Sequence, residues 1–392
     1  MKPVQSPRGV FAAVPVAGRR AAERTKAQVQ DNRVHNRSLV LAALYHQGAM
    51  SRAELSRATA LTAPTVSALV ADLEADGLVA DVEPPAEPGT RRRGKPSMLV
   101  EVQDDAVSLV VLDLAHAEQF RGAVTDLRGR ILVRRSIDIG DAAGEEALAL
   151  VLRLAEELME LAGARVLGIG VATPGIVDDE GTVRQAGHLG WYDLPMAARI
   201  SERFGVPARV GNDVNSAALA ALNFGRADAQ NLMVVTTEFG VGAGLVVDGR
   251  LVEGEQFAAG EIGHLTVDPN GETCEGCGRR GCLEPLIDAA RLRARLDRNA
   301  PEDRDRILAE AGRALGTVLA TVAAVLNLNE FLLVGPGDLI EGPFLDSASA
   351  TARACTLSPI NAALTVRYAA DGADLALLGA ASLLLTAELG VF

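Results

Sequence analysis

Three of the four cysteines in this 392-residue chain fall within nine residues, in the run Cys274-Glu-Gly-Cys277-Gly-Arg-Arg-Gly-Cys282-Leu-Glu284. Glu261-Ile-Gly-His264 stands just upstream. Three thiolates and one imidazole on a Gly-rich turn complete a tetrahedral zinc shell with no position left for water. His264, Cys274, Cys277 and Cys282 are therefore the expected ligands of a structural zinc ion; the plainer alternative is a trio of reduced thiols on a surface loop. Cys355 is the sole remaining cysteine, which suits a reducing cytoplasm better than a disulfide framework. A second cluster is basic. Arg91, Arg92, Arg93 and Lys95 crowd the Pro- and Gly-rich stretch from Pro84 to Pro96, where they could reach phosphates or a minor groove.

The charge distribution agrees with that division of labour. Residues 1–103 carry 14 Lys or Arg against 10 Asp or Glu, a net of +4, which leaves −17 on the rest of a chain whose total is −13. An acidic body repels nucleic acid and a basic head attracts it, so DNA contact belongs to the first quarter. The length admits two or three domains, and 23% charged with 48% hydrophobic residues is ordinary for a soluble protein. No apolar run is expected to reach the length of a membrane span. The stretch Val10 to Gly18 is too short and too interrupted by proline for an export signal.

The elements that position the basic cluster are legible. Residues 1–30 lack any period and read as a disordered leader. From Asn32, Val34, Leu39, Val40, Ala43 and Leu44 fall at helical spacing, and Gly48 closes the segment. Ser51-Arg-Ala-Glu54 forms a capping box for a second helix that carries Leu55. Thr62 caps a third helix running to Asp76, with Pro64 in its first turn and a buried stripe of Val66, Leu69, Val70 and Leu73. Thr62, Thr65, Ser67 and Ala68 are left for the major groove. Two short strands, Leu78 to Val82 and Ser97 to Val102, flank the basic loop. The pattern predicts a winged helix-turn-helix over residues 31–103.

Residues 104–392 read as an α/β body of two lobes. A meander is expected over Ser108–Leu114, Arg121–Leu127 and Ile131–Ile139, then a helix over Glu145–Leu161 and a buried strand over Val166–Val171. The same grammar recurs with strand Val206–Val210, helix Ser216–Phe224, strand Leu232–Thr237 and a hairpin over Gly244–Leu251. Longer helices follow at Ala289–Leu296 and Asp303–Leu326.

With the winged head, Gly211-Asn212-Asp213-Val-Asn215, Glu261-Ile-Gly-His264 and the cysteine run in this order, the chain from about residue 33 resembles the ROK family of transcriptional repressors and sugar kinases. The family's Cys-x-Cys-Gly-x-x-Gly-Cys-x-Glu signature is met here with one extra residue between the first two cysteines. The resemblance implies an actin-like ATPase fold, two ribonuclease-H-like lobes that hold sugar and ATP between them. It places sugar contacts on Asn212, Asp213, Glu261, His264 and Glu284, and, in a kinase, the general base on Asp213. Asn212 and Asp213 would also serve as plain helix caps. The family's Asn-Leu-Gly-Trp sugar segment reads His188-Leu-Gly-Trp191, and Trp191 suits a ring facing sugar as well as one anchored in a wall.

The family's kinase phosphate loops are altered. Asp-x-Gly-Gly-Thr reads Asp113-Leu114-Ala115-His116-Ala117, and Gly-Thr-Gly-x-Gly-x-Gly reads Glu238-Phe239-Gly240-Val241-Gly242-Ala243-Gly244. Side chains stand where backbone amides should approach phosphate oxygens. The expected protein is a non-enzymatic regulator, a repressor of sugar uptake or catabolism genes. It binds double-stranded operator DNA as a homodimer or homotetramer and senses a sugar or sugar derivative. The alternatives are an ATP-dependent sugar kinase and a regulator whose body is a docking or dimerisation platform.

Overall fold

The computed structural model of the chain describes residues 24–84, 98–116, 118–163, 165–225 and 230–392. Arg91, Arg92, Arg93 and Lys95 lie outside the described residues. The first helix, Arg24–Gln47, begins inside the expected leader, so residues 24–30 are helical. Arg-Thr-Lys-Ala-Gln-Val-Gln lacks an apolar stripe but contains good helix formers, and a helix already nucleated downstream extends through such residues at little cost.

The head follows its local signals. Ser51 caps helix Arg52–Thr59 in a complete capping box with Glu54, and Thr62 caps helix Ala63–Ala75 with a proline in its first turn. Val66, Leu69, Val70 and Leu73 are buried together with Leu41, Leu44 and Leu55 of the two preceding helices. Strand Leu99–Val102 pairs with both Val79–Val82 and Met50–Ser51, closing the wing's base.

Each lobe of the body repeats one plan, a three-stranded antiparallel meander followed by two strands laid parallel to its first strand. In the first lobe the meander is Val107–Asp113, Gln119–Thr125 and Ile131–Asp138, and the parallel additions are Arg165–Thr173 and Ala208–Asn212. In the second it is Leu232–Thr236, Gly242–Val247 and Arg250–Leu251, with Glu330–Val334 and Thr365–Tyr368 added. This is the expected pair of ribonuclease-H-like lobes. Contrary to the sequence expectation, Pro301–Leu326 and Gly372–Leu389 are long and apolar enough to cross a membrane by length and composition. Their Ala-, Gly- and Leu-rich faces pack within the body, 56% of each apolar stretch being buried, as core helices do.

Head and body share one core. Leu41, Leu44 and Leu73 belong to the same cluster as Leu109, Leu384 and Val391. At the seam, the Phe392 ring meets Tyr45, His46 and Phe224 with centroids 5.4, 5.6 and 5.6 Å away. His46 Nε2 donates to the Val391 carbonyl at 2.6 Å and Tyr45 Oη to the Leu127 carbonyl at 2.8 Å. Arg128 lies over the Tyr45 ring, 4.3 Å from its centroid.

Candidate effector and metal site

The cysteine loop is folded by its own backbone. Cys274 N–H donates to Arg279 O, Gly278 N–H to Cys274 O, and Leu283 N–H to Leu265 O, with distances of 2.7 to 2.9 Å. These bonds bring one donor atom each from His264, Cys274, Cys277 and Cys282 within 4.8 Å of one another. His264 Nδ1 is 3.6 Å from Cys274 Sγ, and Cys277 Sγ is 3.5 Å from Cys282 Sγ. Ligands about 2.3 and 2.0 Å from a tetrahedral zinc lie at about such separations, whereas a disulfide would need about 2.05 Å. Hydrogen bonds from Arg279 draw the Cys277 thiol down to about 6, while burial pushes Cys274 up and Cys282 up to about 11. A cation among them is what allows all three to ionise, so the donor set fits zinc. Gly276 keeps room beside the cluster, since a Cβ there would stand 3.0 Å from His264 Cε1 and 3.2 Å from Glu284 Oε1.

Beside the metal donors is an acidic group. Asp213 is the first residue of helix Asp213–Asn223, Glu261 precedes the short turn that carries His264, and Glu284 opens helix Glu284–Ile287 two residues after Cys282. The Asp213 carboxyl is pushed up to about 7, first by burial and then by the charges of Asp113 and Glu261. Glu261 is raised as well, by burial, with His264 opposing and Glu284 reinforcing. Asp213 is thus within electrostatic reach of Glu261, and Glu261 within reach of His264 and Glu284. Asn212 serves differently. Its Oδ1 accepts from Val214 and Asn215 N–H at 3.0 and 2.9 Å, and its Nδ2 donates to Gly175 O and Asp213 Oδ1 at 2.9 and 3.0 Å. Its amide is fully engaged in capping the helix and holding Asp213, so the helix starts at Asp213 and not at the expected Ser216.

Two residues without a sequence signal for this role tie the site to the neighbouring loop. Asp288, buried and capping helix Ala289–Asp297, accepts from Gly240 N–H at 3.0 Å. Glu284 Oε2 accepts from Val241 N–H at 3.4 Å. Asp288 carries a recognisable capping signal ahead of its helix, but nothing in the sequence shows which loop it reaches. Trp191 is buried, stacks against Phe120 and donates from Nε1 to Gly144 O at 2.9 Å. It anchors a wall of the first lobe.

At the other end of the cleft stands Asp113, buried and held by His116 Nε2 at 2.8 Å and Arg121 Nη2 at 2.6 Å. Burial raises its carboxyl, yet the hydrogen bond and charge of His116, with Arg121, outweigh that and hold it below the usual range. Arg121 also donates to Ala373 O at 2.7 Å, and the His116 ring meets Phe239 edge-on at 5.0 Å. A cavity of only about 50 Å³ remains among Asp113, His116, Arg121, Asp213, Glu238 and Phe239. Leu114 does not obstruct it as expected; its side chain is buried in the first lobe's core, because successive strand residues point to opposite faces. In the head, Thr62, Ser67 and Ala68 are exposed and Thr65 is half-buried, on the face opposite the Leu69–Leu73 stripe. Thr62 Oγ1 is engaged at 2.8 Å with Thr65 Oγ1.

The family model described as "ROK family" matches residues 115–387, and the one described as "MarR family" matches residues 35–93. A putative xylose repressor of Caldicellulosiruptor sp. (strain Rt8B.4) is 32% identical over 255 residues, 64% of this chain and 62% of that protein. The chain thus spans less than two thirds of that relative's length. A glucokinase of Halalkalibacterium halodurans is 40% identical over 126 residues, 32% of this chain and 38% of that one. The crystal structure of a ROK family transcriptional regulator, described as a homologue of the E. coli MLC protein, superposes with a TM-score of 0.78. It covers 92% of this chain and 99% of that one at 24% identity, and shows the fold. With both lobes, the metal-donor cluster and the head accounted for, the chain belongs to the ROK family and carries a MarR-type winged helix-turn-helix at its N-terminal side.

Proposed function

We propose that the protein is a cytoplasmic DNA-binding transcriptional regulator, a repressor of sugar uptake or catabolism genes, whose affinity for operator DNA is set by a sugar or sugar derivative held in the cleft. The observation that carries this reading is the helix Asp213–Asn223. Its first residue, Asp213, feels the charge of Glu261, which in turn feels His264 and Glu284, and its C-cap, Phe224, packs on Phe392, which packs on Tyr45 and His46 of the head. A ligand that shifts the first turn moves the far end of a rigid rod against the head's base. Asp213, Glu261 and Glu284 take paired hydroxyls, His264 links the ligand to a structural zinc held with Cys274, Cys277 and Cys282, and Asn212 positions Asp213. The repressor name of the Caldicellulosiruptor relative and the MarR-type head support the DNA-binding half.

On this reading Thr62, Thr65, Ser67 and Ala68 enter the major groove, Arg91, Arg92, Arg93 and Lys95 reach the backbone or minor groove, and two or four chains meet a two-fold symmetric site. The head and body divide near residue 103, and the head's first helix reaches back to Arg24. Phosphoryl transfer is not expected, because Arg121 and His116 already engage the Asp113 carboxylate, and side chains of Glu238 and Phe239 line the small cavity beside it. Mapping the DNA bound by the full chain tests the reading. The expected result is a few palindromic sites beside sugar transport or catabolic genes. Replacing Arg91, Arg92 and Arg93 should flatten the salt dependence, by about 0.9 in slope for each phosphate left without its cation. Sugar-dependent ADP release that vanishes in Asp213→Ala, with no site-specific DNA binding, would establish the kinase alternative.

A further inference from the structure

A cavity of about 330 Å³ opens between helix Asp213–Asn223, strand Ala208–Asn212 and the last turns of the chain. It shares Asn212 with the candidate sugar site, but Asp213, Glu261, His264 and Glu284 do not line it. One wall is apolar, with Leu219, Leu251 and Leu383. Another carries Asn215 and Ser216, only 8% and 1% exposed, whose Oδ1 and Oγ atoms have no hydrogen-bond partner among the described residues. Buried polar atoms in folded proteins are nearly always paired, so two orphans beside one cavity mark a place where a donor is missing.

The rim is acidic. Asp178 is satisfied by Arg184 at 2.7 Å and by the N–H groups of Glu180 and Thr182, and Arg209 is satisfied by Glu388 at 2.7 Å. Asp179, Glu180 and Glu253 stand at the mouth with no ion pair among the described residues, and burial together with the charge of Asp179 raises the Glu253 carboxyl. The wall is also conformationally unusual. The final helix passes into a π-helical turn, Leu385–Leu389, and Thr386 and Ala387 of that turn line the cavity. Such wide turns concentrate at functional sites. Val391 and Phe392, which contact the head, follow after Gly390.

We propose that this cavity is a second ligand site, taking a small molecule with a protonated amine and an apolar body. The ammonium would donate to the Asp179 and Glu253 carboxylates, with its third N–H turned toward the buried Asn215 and Ser216 oxygens, and the apolar part would lie on Leu219, Leu251 and Leu383. Hydroxyl-rich ligands lack the charge that the rim calls for, and a bare metal ion leaves the leucine wall uncovered. Because the amine site does not use the sugar-contacting carboxylates, it stands or falls apart from the sugar reading.

The test uses n-butylammonium chloride and n-butanol as matched probes on the full chain with labelled leucine methyls. Saturable shifts at Leu219, Leu251 and Leu383 are expected at millimolar ammonium, the range that so small a ligand reaches, with binding about 10-fold tighter than the alcohol. The Asp179→Asn/Glu253→Gln double variant keeps shape and exposed positions, and should erase that margin without changing the melting curve. Absence of saturable shifts at these methyls, equal binding of the alcohol, or a margin that survives in the double variant would overturn the proposal.

Discussion

The two ends of the interlobe cleft are built from similar materials and arranged for opposite ends. Around Glu261, burial and the neighbouring Glu284 charge push the carboxyl up, with His264 opposing. Around Asp113 the carboxylate is already answered, by His116, Arg121 and the Ala115 N–H at 3.1 Å. Burial alone therefore says little about whether an acid serves a ligand. What separates the two ends is whether the protein supplies the counter-charge itself. An arginine and an imidazole beside Asp113 do so, and on the proposed reading they replace the metal–nucleotide chemistry that a kinase would hold there.

The largest expected effect concerns the metal. Purified protein should carry about one zinc per chain, and Cys282→Ser should lose it together with several kcal/mol of stability, since metal binding energy is folding energy in such loops. Elemental analysis and thermal unfolding check both. A full zinc complement in Cys282→Ser would reassign the ligands.

Asp213, which lines the small cavity beside Asp113 and also feels the charge of Glu261, offers a sharper test. Its folded value of about 7 lies above the ordinary 3.8, so the folded state holds the proton more tightly. Stability from this group is complete below about pH 4 and declines as pH rises toward 7, because the unfolded chain releases its proton first. After allowance for partial solvent access, the loss between pH 5 and 8 is about 1 to 2 kcal/mol. Asp213→Asn should flatten that slope in urea unfolding at the two pH values; an equal slope would remove Asp213 from the buried acid group.

Smaller still is the expected effect of the head seam. Phe392→Ala removes the ring from Tyr45, His46 and Phe224, pairings worth about 0.5–1.5 kcal/mol each when well formed, and should cost about 1 to 2 kcal/mol in all, the ring being only partly buried. More informative is its effect on coupling: sugar binding should persist while its effect on DNA weakens. Thr62→Ala sits at the bottom of the series, with about 1 kcal/mol from a missing helix cap, measured by thermal unfolding.

These cases also show what the chain's order of residues reveals. Ser51 with Glu54, Thr62 with Pro64, and the cysteine run are local chemistry, with partners a few residues apart, and they folded as read. The meander and the helix Glu145–Leu161 were equally plain, because their periods are internal. His46 with Val391, 345 residues apart, leaves no local trace, and neither does Arg121 with the Ala373 carbonyl. Leu114 misled for a related reason: its place beside Asp113 suggested the cleft, but strand alternation turned it inward. Asn212 lay within reach of two readings, and only the hydrogen bonds of its amide show how completely the cap uses it.

The central claim is that occupancy of the open acidic end changes what the head does to DNA. Once mapping supplies an operator, its affinity for the full chain should be measured with and without each of a panel of sugars, in the parent protein and in Glu261→Ala and Glu284→Ala. The account predicts that at least one sugar changes operator affinity by about 5- to 150-fold, a coupling of about 1 to 3 kcal/mol, and that both variants lose this response while keeping sugar-free affinity. A full sugar response in both variants, or a response to none of the sugars alongside a response to a protein partner, would contradict it.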